Sequence, residues 1–131
     1  MKPHRLLIAS AALVLCVSVA FAANAHHVKA PLEPTGGSGV TGFVELTQMP
    51  HGGANLVMEI SGLQSGAQYA TFYYESADCS APADPFHEFT ADKNGRATLH
   101  GEIDEDLDEV GSVSVRVGPG YGALLACARI H

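Results

Sequence analysis

Apolar residues recur at every second position along much of the chain after residue 39, and this period of two predicts β-strands. Leu56, Met58 and Ile60, for example, alternate with residues that would face the other side of a strand. Successive side chains of a strand point to opposite faces of a sheet, so the pattern is typical of a strand with one buried face. Seven segments show it, at residues 40–48, 55–61, 69–75, 86–90, 97–103, 112–117 and 123–130.

Turn signals separate these segments and indicate the fold class. Asp92-Lys93-Asn94-Gly95 lies between two predicted strands, and an Asn-Gly pair accepts the positive φ angles of a hairpin turn at low cost. Gly118–Gly122 forms a second tight turn, and no segment after residue 25 has helical periodicity. Short strands with a turn about every 8–12 residues predict an all-β fold, a Greek-key β-sandwich or barrel of about seven to eight strands.

The first 25 residues have the layout of a secretory signal peptide. Lys2 and Arg5 precede an uncharged apolar run from Leu6 to Phe21, and Ala23-Asn24-Ala25 offers the small residues of a cleavage site. An uncleaved membrane anchor is the alternative, but the run is shorter than the roughly 20 residues that span a bilayer. We therefore predict export to the periplasm or the extracellular space, with no membrane insertion after cleavage.

The rest of the chain is short enough for one domain. Residues 26–38 are rich in Pro, Gly and His, which predicts a flexible lead-in. The predicted organisation is a signal peptide at residues 1–25, the lead-in at residues 26–38 and a β-barrel domain at residues 39–131.

The predicted mature chain is strongly acidic. Residues 26–131 carry five Lys and Arg side chains against 14 Asp and Glu side chains, which gives a formal charge of −9. An acidic chain without a basic patch does not suit nucleic acid or an anionic membrane as a partner.

Two cysteines remain after the predicted signal peptide, Cys79 and Cys127. An even pair in an exported chain predicts a disulfide, with two free thiols as the alternative. Closing a loop of this length contributes about 4 kcal/mol of stability through chain entropy. The two cysteines are far apart in the sequence, so they do not form a CxxC redox motif.

Six stretches between residues 40 and 130 follow one another in a recognisable order: GFVELTQ, LVMEISGLQSGAQY, ESADCSAP, FTADKNGRATL, GSVSVRVG and ALLACARI. This order of local sequences resembles that of secreted copper/zinc superoxide dismutases. The resemblance implies a Greek-key β-barrel with a Cys79–Cys127 bridge that ties a loop to the last strand.

The positions that hold metal in that family carry other residues here. By the resemblance, two copper-binding histidines correspond to Phe72 and Tyr74, and a third corresponds to Val117. The arginine that guides superoxide corresponds to Leu124. The long loop with the zinc ligands is reduced to Ser80–His87.

These departures remove the chemistry that the resemblance would otherwise imply. A copper ion that cycles between redox states needs imidazole donors in fixed geometry, which Phe72 and Tyr74 do not provide. An acidic surface also repels anionic superoxide. We therefore expect no catalytic residues, and neither copper nor zinc at the family positions. The predicted function is a binding or structural module for an unknown protein or small ligand, with the oligomeric state left open; a divergent active dismutase is an alternative.

A second alternative is a copper-binding protein that uses the histidines of the lead-in. Cleavage after Ala25 would leave His26 as the first residue, so that its free amine and imidazole could chelate copper together with a second histidine such as His27. Cleavage after Ala23 would instead make His26 the third residue, which is the position of the amino-terminal copper/nickel-binding motif. Two adjacent histidines in a flexible segment are otherwise simply solvated.

The aromatic run Phe72-Tyr73-Tyr74 lies on a predicted strand, so its side chains alternate between two faces. One face is expected in the core. The other either packs in the ordinary way or exposes an aromatic patch that favours binding to a partner or ligand.

Overall fold

The structure, a computed structural model, describes residues 26–131, and the predicted signal peptide at residues 1–25 lies outside them. Residues 26–131 form eight antiparallel strands and a short 3₁₀ helix at Leu107–Glu109, which confirms the prediction of an all-β fold. No helix in this part of the chain is long and apolar enough to span a membrane. The strands are β1 (His27–Pro34), β2 (Thr41–Gln48), β3 (Ala54–Ser61), β4 (Gln68–Tyr74), β5 (Ala83–Thr90), β6 (Ala97–Ile103), β7 (Ser112–Val117) and β8 (Leu124–Arg129).

The strands form one nearly closed, barrel-shaped sheet in the order β5-β4-β7-β8-β1-β2-β3-β6. The connections from β3 to β4 and from β6 to β7 join strands that are not neighbours, which is Greek-key connectivity. Strand β1 links the two halves of the barrel, because residues 27–32 pair with β2 and residues 33–34 pair with β8.

Alternate side chains of the strands fill the barrel interior. Leu56, Met58 and Ile60 on β3 and Val44 and Leu46 on β2 are at most 2% exposed. The residues between them on β3 are exposed or half-buried. The period of two in the sequence therefore marks the inner face of the barrel.

The prediction of a flexible lead-in is wrong for residues 27–34, which form β1. Ala30 and Leu32 point into the core and are 5% and 2% exposed, so this segment also has an apolar face at every second residue. Pro31 donates no backbone hydrogen bond. It is tolerated because the pairing with β8 involves only residues 33–34, which leaves one side of β1 without a ladder at Pro31.

Strand β5 begins at Ala83, three residues before the predicted start at Phe86. Pro85 weakens the strand pattern in this segment, but proline is accepted on a strand at the edge of a sheet. Strands β5 and β6 stand at the two ends of the sheet order, and the side chain of His87 bridges the seam between them. Its Nε2–H donates to the carbonyl oxygen of His100 on β6 at 3.2 Å.

Candidate functional site

The disulfide predicted from the sequence is present and fixes a loop over the outer face of the sheet. Cys79 and Cys127 are joined, with their Cα atoms 6.1 Å apart. The loop, residues 75–82, connects β4 to β5 and is called the Cys79 loop below. Ser112 on β7 holds it further, since its hydroxyl donates to the carbonyl oxygen of Ser76 at 2.6 Å and accepts from the backbone N–H of Cys79 at 2.9 Å.

Tyr74 is packed beneath this loop. Its side chain is 1% exposed, and its hydroxyl shares a hydrogen bond of 2.7 Å with the Ser114 hydroxyl. The same oxygen accepts a hydrogen bond of 3.0 Å from Nε of Arg116. A position that the family resemblance assigns to a copper-binding histidine is thus occupied by a buried phenol with satisfied hydrogen bonds.

Arg116 connects three parts of the outer face. Besides its bond to Tyr74, the guanidinium donates to the carbonyl oxygens of Gly122 and Cys79, each at 3.0 Å. It also lies over the ring of Tyr121, 3.8 Å from the ring centroid. Because the planar guanidinium donates in several fixed directions, it ties the Cys79 loop and the β7–β8 turn to the sheet.

Arg116 is not among the site residues predicted from the sequence. The arginine position implied by the family resemblance is Leu124, which is the cross-strand partner of Arg116 on β8. The feature of the sequence that could have indicated Arg116 is its charge, because the rest of the predicted strand SVSVRV is uncharged. Nothing in the local sequence indicated that the Cys79 loop would fold over it.

The pairing of β4 with β7 places the three positions that the resemblance assigns to copper ligands on different faces of the sheet. Phe72 lies opposite Ser114 and therefore faces outward with Tyr74. Val117 lies opposite Tyr69, whose side chain belongs to the core, so Val117 projects from the other face and is 41% exposed at the end of β7. The structure does not bring Val117 to Phe72 and Tyr74, and Arg116 occupies their face instead.

Phe72 lines a cleft of about 330 Å³ on the outer face of β4 and β5. Its ring meets the ring of Tyr121 edge to face, with centroids 4.9 Å apart and an interplanar angle of 79°. Tyr121 comes from the β7–β8 turn and is 48% exposed. We call this space the aromatic cleft and define it by Phe72, Pro85, Phe86, His87, Glu88 and Tyr121.

A local irregularity in the pairing of β4 with β5 shapes the aromatic cleft. The register shifts between Ala70 and Phe72, so Thr71 lies opposite the extra residue of a bulge. The Thr71 hydroxyl replaces the missing ladder partner, because it accepts from the backbone N–H of His87 at 3.0 Å and donates to the His87 carbonyl at 2.9 Å. The rings of Phe86 and His87 then lie together, with centroids 4.2 Å apart.

The side chains of Phe72, Tyr73 and Tyr74 therefore alternate between the two faces of the sheet, as expected for a strand. Tyr73 packs against the core, Tyr74 is buried under the Cys79 loop, and Phe72 lines the aromatic cleft. Burial and the nearby carboxylates of Asp84 and Glu105 raise the pKa of Tyr73. Of the outward-facing pair, only Phe72 contributes to an accessible aromatic surface.

Among residues 26–131, no histidine belongs to a group of three side chains spaced to hold a metal ion. His27 Nδ1 lies 3.0 Å from the Thr47 hydroxyl, whereas His26 lines a shallow recess at one end of the barrel with Asp106 and Asp108. Within residues 26–131, the group of His, Cys, Asp and Glu side chains whose spacing could hold a metal is Asp106, Asp108 and Glu109, which contains no histidine.

Asp106 has a structural role in that acidic segment. Its carboxylate accepts hydrogen bonds from the Gln48 side chain at 3.0 Å and from the backbone N–H of Gly53 at 2.8 Å. These two bonds, that of Gln48 most, lower the pKa of Asp106. The hydrogen bond shared with the Glu109 carboxyl has the opposite effect on Glu105, whose pKa is raised.

Comparison of the sequence with protein-family models found no match, and comparison with curated proteins also found none.

Proposed function

We propose that this protein is an exported, non-enzymatic binding domain that uses a superoxide-dismutase-like barrel without its metal centre. The observation that carries the proposal is the burial of Tyr74, whose hydroxyl is bonded to Ser114 and Arg116 at a position where the resemblance expects a copper ligand.

The donor set on this face does not fit a redox copper centre. Such a centre needs several imidazoles around one point, and the outward positions hold Phe72, Tyr74 and Arg116. A buried phenol hydrogen-bonded to a guanidinium is a poor substitute for a neutral imidazole. This face is instead suited to binding, since it keeps a rigid, disulfide-braced floor and presents the aromatic cleft beside it.

Two observations support export. The first 25 residues have a signal-peptide layout, and the Cys79–Cys127 disulfide is compatible with an oxidising compartment. Together they favour a periplasmic or extracellular location.

Metal analysis of the purified protein tests the proposal. After incubation with copper and zinc and exhaustive dialysis, the protein should retain far less than one metal ion per chain. A xanthine-oxidase-coupled assay of the same sample should show no superoxide dismutation above that of buffer without protein. Retention of stoichiometric copper together with dismutase activity would overturn the proposal in favour of a divergent dismutase.

A copper-binding function of the N-terminal histidines is the second candidate. It is favoured by one observation, that His26 lines the same recess as the carboxylates of Asp106 and Asp108. N-terminal sequencing of the exported protein and titration with Cu(II) test it together. A chain that starts at His26 or at Asn24 and loses copper affinity in a His26→Gln variant supports this candidate, whereas a start at Ala23 or further upstream, or an unchanged affinity, rejects it.

A further inference from the structure

The walls of the aromatic cleft come from three rings, which lie on two strands and a turn. Phe72 and Tyr121 form a perpendicular corner, and Phe86 on β5 lies on the same cleft. Its volume of about 330 Å³ is at the lower end of the range for ligand sites, so it suits a small molecule. The corner is held by the β7–β8 turn, because the backbone N–H of Gly120 donates to Glu88 Oε1 at 3.0 Å.

Glu88 gives the aromatic cleft a negative charge. Within residues 26–131 the ion pair that forms is Lys29–Glu45, so no Lys or Arg side chain pairs with Glu88. The cleft is lined by no Lys or Arg either. The guanidinium of Arg116 lies over Tyr121 and is held by the carbonyl oxygens of Cys79 and Gly122. Oε1 of the carboxylate accepts from the Gly120 N–H, and Oε2 is available to a cationic ligand.

Aromatic rings and a carboxylate together select a particular ligand chemistry. The negative face of an aromatic ring attracts ammonium groups, and alkylated ammonium ions lose their hydration more easily than simple ones. An anionic ligand would be repelled by Glu88. A neutral apolar ligand would bury the carboxylate without neutralising it, which is costly.

We infer that the aromatic cleft binds a small alkylammonium ion, with Phe72 and Phe86 in contact with its alkyl groups and Glu88 providing the counter-charge. This inference rests on the proposed function, in which the outer face of β4 and β5 serves binding. It adds the ligand class and the residues that recognise it.

A titration with choline chloride tests the inference. Amide chemical shifts of the ¹⁵N-labelled full chain would be followed against sodium chloride at equal ionic strength and against 3,3-dimethylbutan-1-ol, the uncharged carbon analogue of choline. We expect saturable shifts confined to residues of β4, β5 and the β7–β8 turn with choline, and binding of the alcohol about tenfold weaker or less. Equal binding of the two compounds, or no saturable shift with choline, would overturn the inference.

Matched variants locate the charge. Glu88→Gln keeps the shape and the acceptor for Gly120, so we expect a folded protein whose choline affinity falls about tenfold. Glu59→Gln removes a carboxylate from the exposed face of β3 and should leave the affinity unchanged. If both variants lowered the choline affinity equally, the effect would come from the overall charge of the protein, and the aromatic cleft would be rejected as the binding site.

The outcome is separable from the proposed function. Failure of choline to bind a protein that also retains no copper or zinc would reject the ligand class and leave the non-enzymatic assignment standing. Stoichiometric copper with dismutase activity would reject the proposed function whatever the choline titration shows.

Discussion

At the scale of single residues, Tyr74 and Arg116 determine what the outer face of the barrel can do. The phenol and the guanidinium satisfy each other and the backbone around them, so this region is packed. The sequence identified Tyr74 as a departure from the family pattern. It did not reveal the partner, because Arg116 lies 42 residues further along the chain and meets Tyr74 only through the pairing of β4 with β7.

Replacing Tyr74 with Phe should destabilise the protein by about 1–2 kcal/mol, because its hydroxyl would lose a buried hydrogen bond with Ser114 and a partly buried one from Arg116. Urea denaturation followed by circular dichroism measures the change. Tyr73→Phe is the matched control and should have little effect, since Tyr73 is only half-buried. Equal stability of the Tyr74→Phe variant and the wild type would show that the network contributes nothing.

Asp106 links the β6–β7 connector to the β2–β3 turn, and its effect on stability depends on pH. Its pKa is lower in the folded protein than in the unfolded chain, so its ionised form stabilises the fold at neutral pH. This contribution is complete above the unfolded pKa of about 3.9 and is lost as pH falls through the lower, folded value. Asp106→Asn should therefore destabilise the protein at neutral pH.

Denaturant midpoints of the Asp106→Asn variant and the wild type across pH test this behaviour. The difference between them should shrink as acid protonates Asp106 in the wild type. Asp108→Asn, which removes an exposed carboxylate of the same segment, is the control. A difference that stays constant down to acid pH would contradict a charge-dependent role.

At the scale of elements, the period of two located seven of the eight strands to within a few residues. Strand β1 was not predicted, because the prolines and glycines of residues 26–38 are typical of a loop and the alternation of Val28, Ala30 and Leu32 is short. It also could not predict the bulge opposite Thr71, since a bulge is set by how two strands pair. The aromatic cleft depends on that bulge, so the cleft was not visible in the sequence.

The seam between β5 and β6 is closed by side chains that require a glycine at position 101. A Cβ at Gly101 would lie 3.0 Å from both His87 Nε2 and the Phe86 ring, so these side chains would have to move. Gly101→Ala should therefore lower stability by about 1 kcal/mol or more and weaken choline binding through Phe86. Thermal unfolding and the same choline titration measure both effects, with Thr98→Ala on the exposed face of β6 as the control.

A Gly101→Ala variant with normal stability and normal choline affinity would show that Phe86 and His87 adapt without cost. In that case the seam would not control the shape of the aromatic cleft.

At the scale of the whole molecule, a small domain combines a Greek-key barrel with one covalent crosslink. The fold class and the disulfide could be predicted from the sequence. Alternating apolar residues indicate strands with one buried face, and an even number of cysteines in an exported chain indicates a disulfide. The arrangement of the site was not, because residues from β4, β5, β7 and two loops meet there only in the folded barrel.

The Cys79–Cys127 disulfide should contribute about 4 kcal/mol to stability by restricting the unfolded chain. Its removal also releases the Cys79 loop from the last strand. Urea denaturation with and without reductant should show a large decrease in the midpoint. A Cys79→Ser/Cys127→Ser variant should match the reduced protein and be insensitive to reductant, and a reduced protein as stable as the oxidised one would contradict this estimate.

The outer face of β4 and β7 carries Phe72, Tyr74 and Arg116 and offers no imidazole to a redox copper ion. Electron paramagnetic resonance of the purified protein with an equimolar amount of Cu(II) tests it most directly, because the hyperfine pattern reports the nitrogen ligands. We expect any copper signal to stay the same when Tyr74 is replaced by Phe or Arg116 by Lys. A tightly bound copper ion with three or more imidazole nitrogens, altered by substitutions on this face, would contradict it.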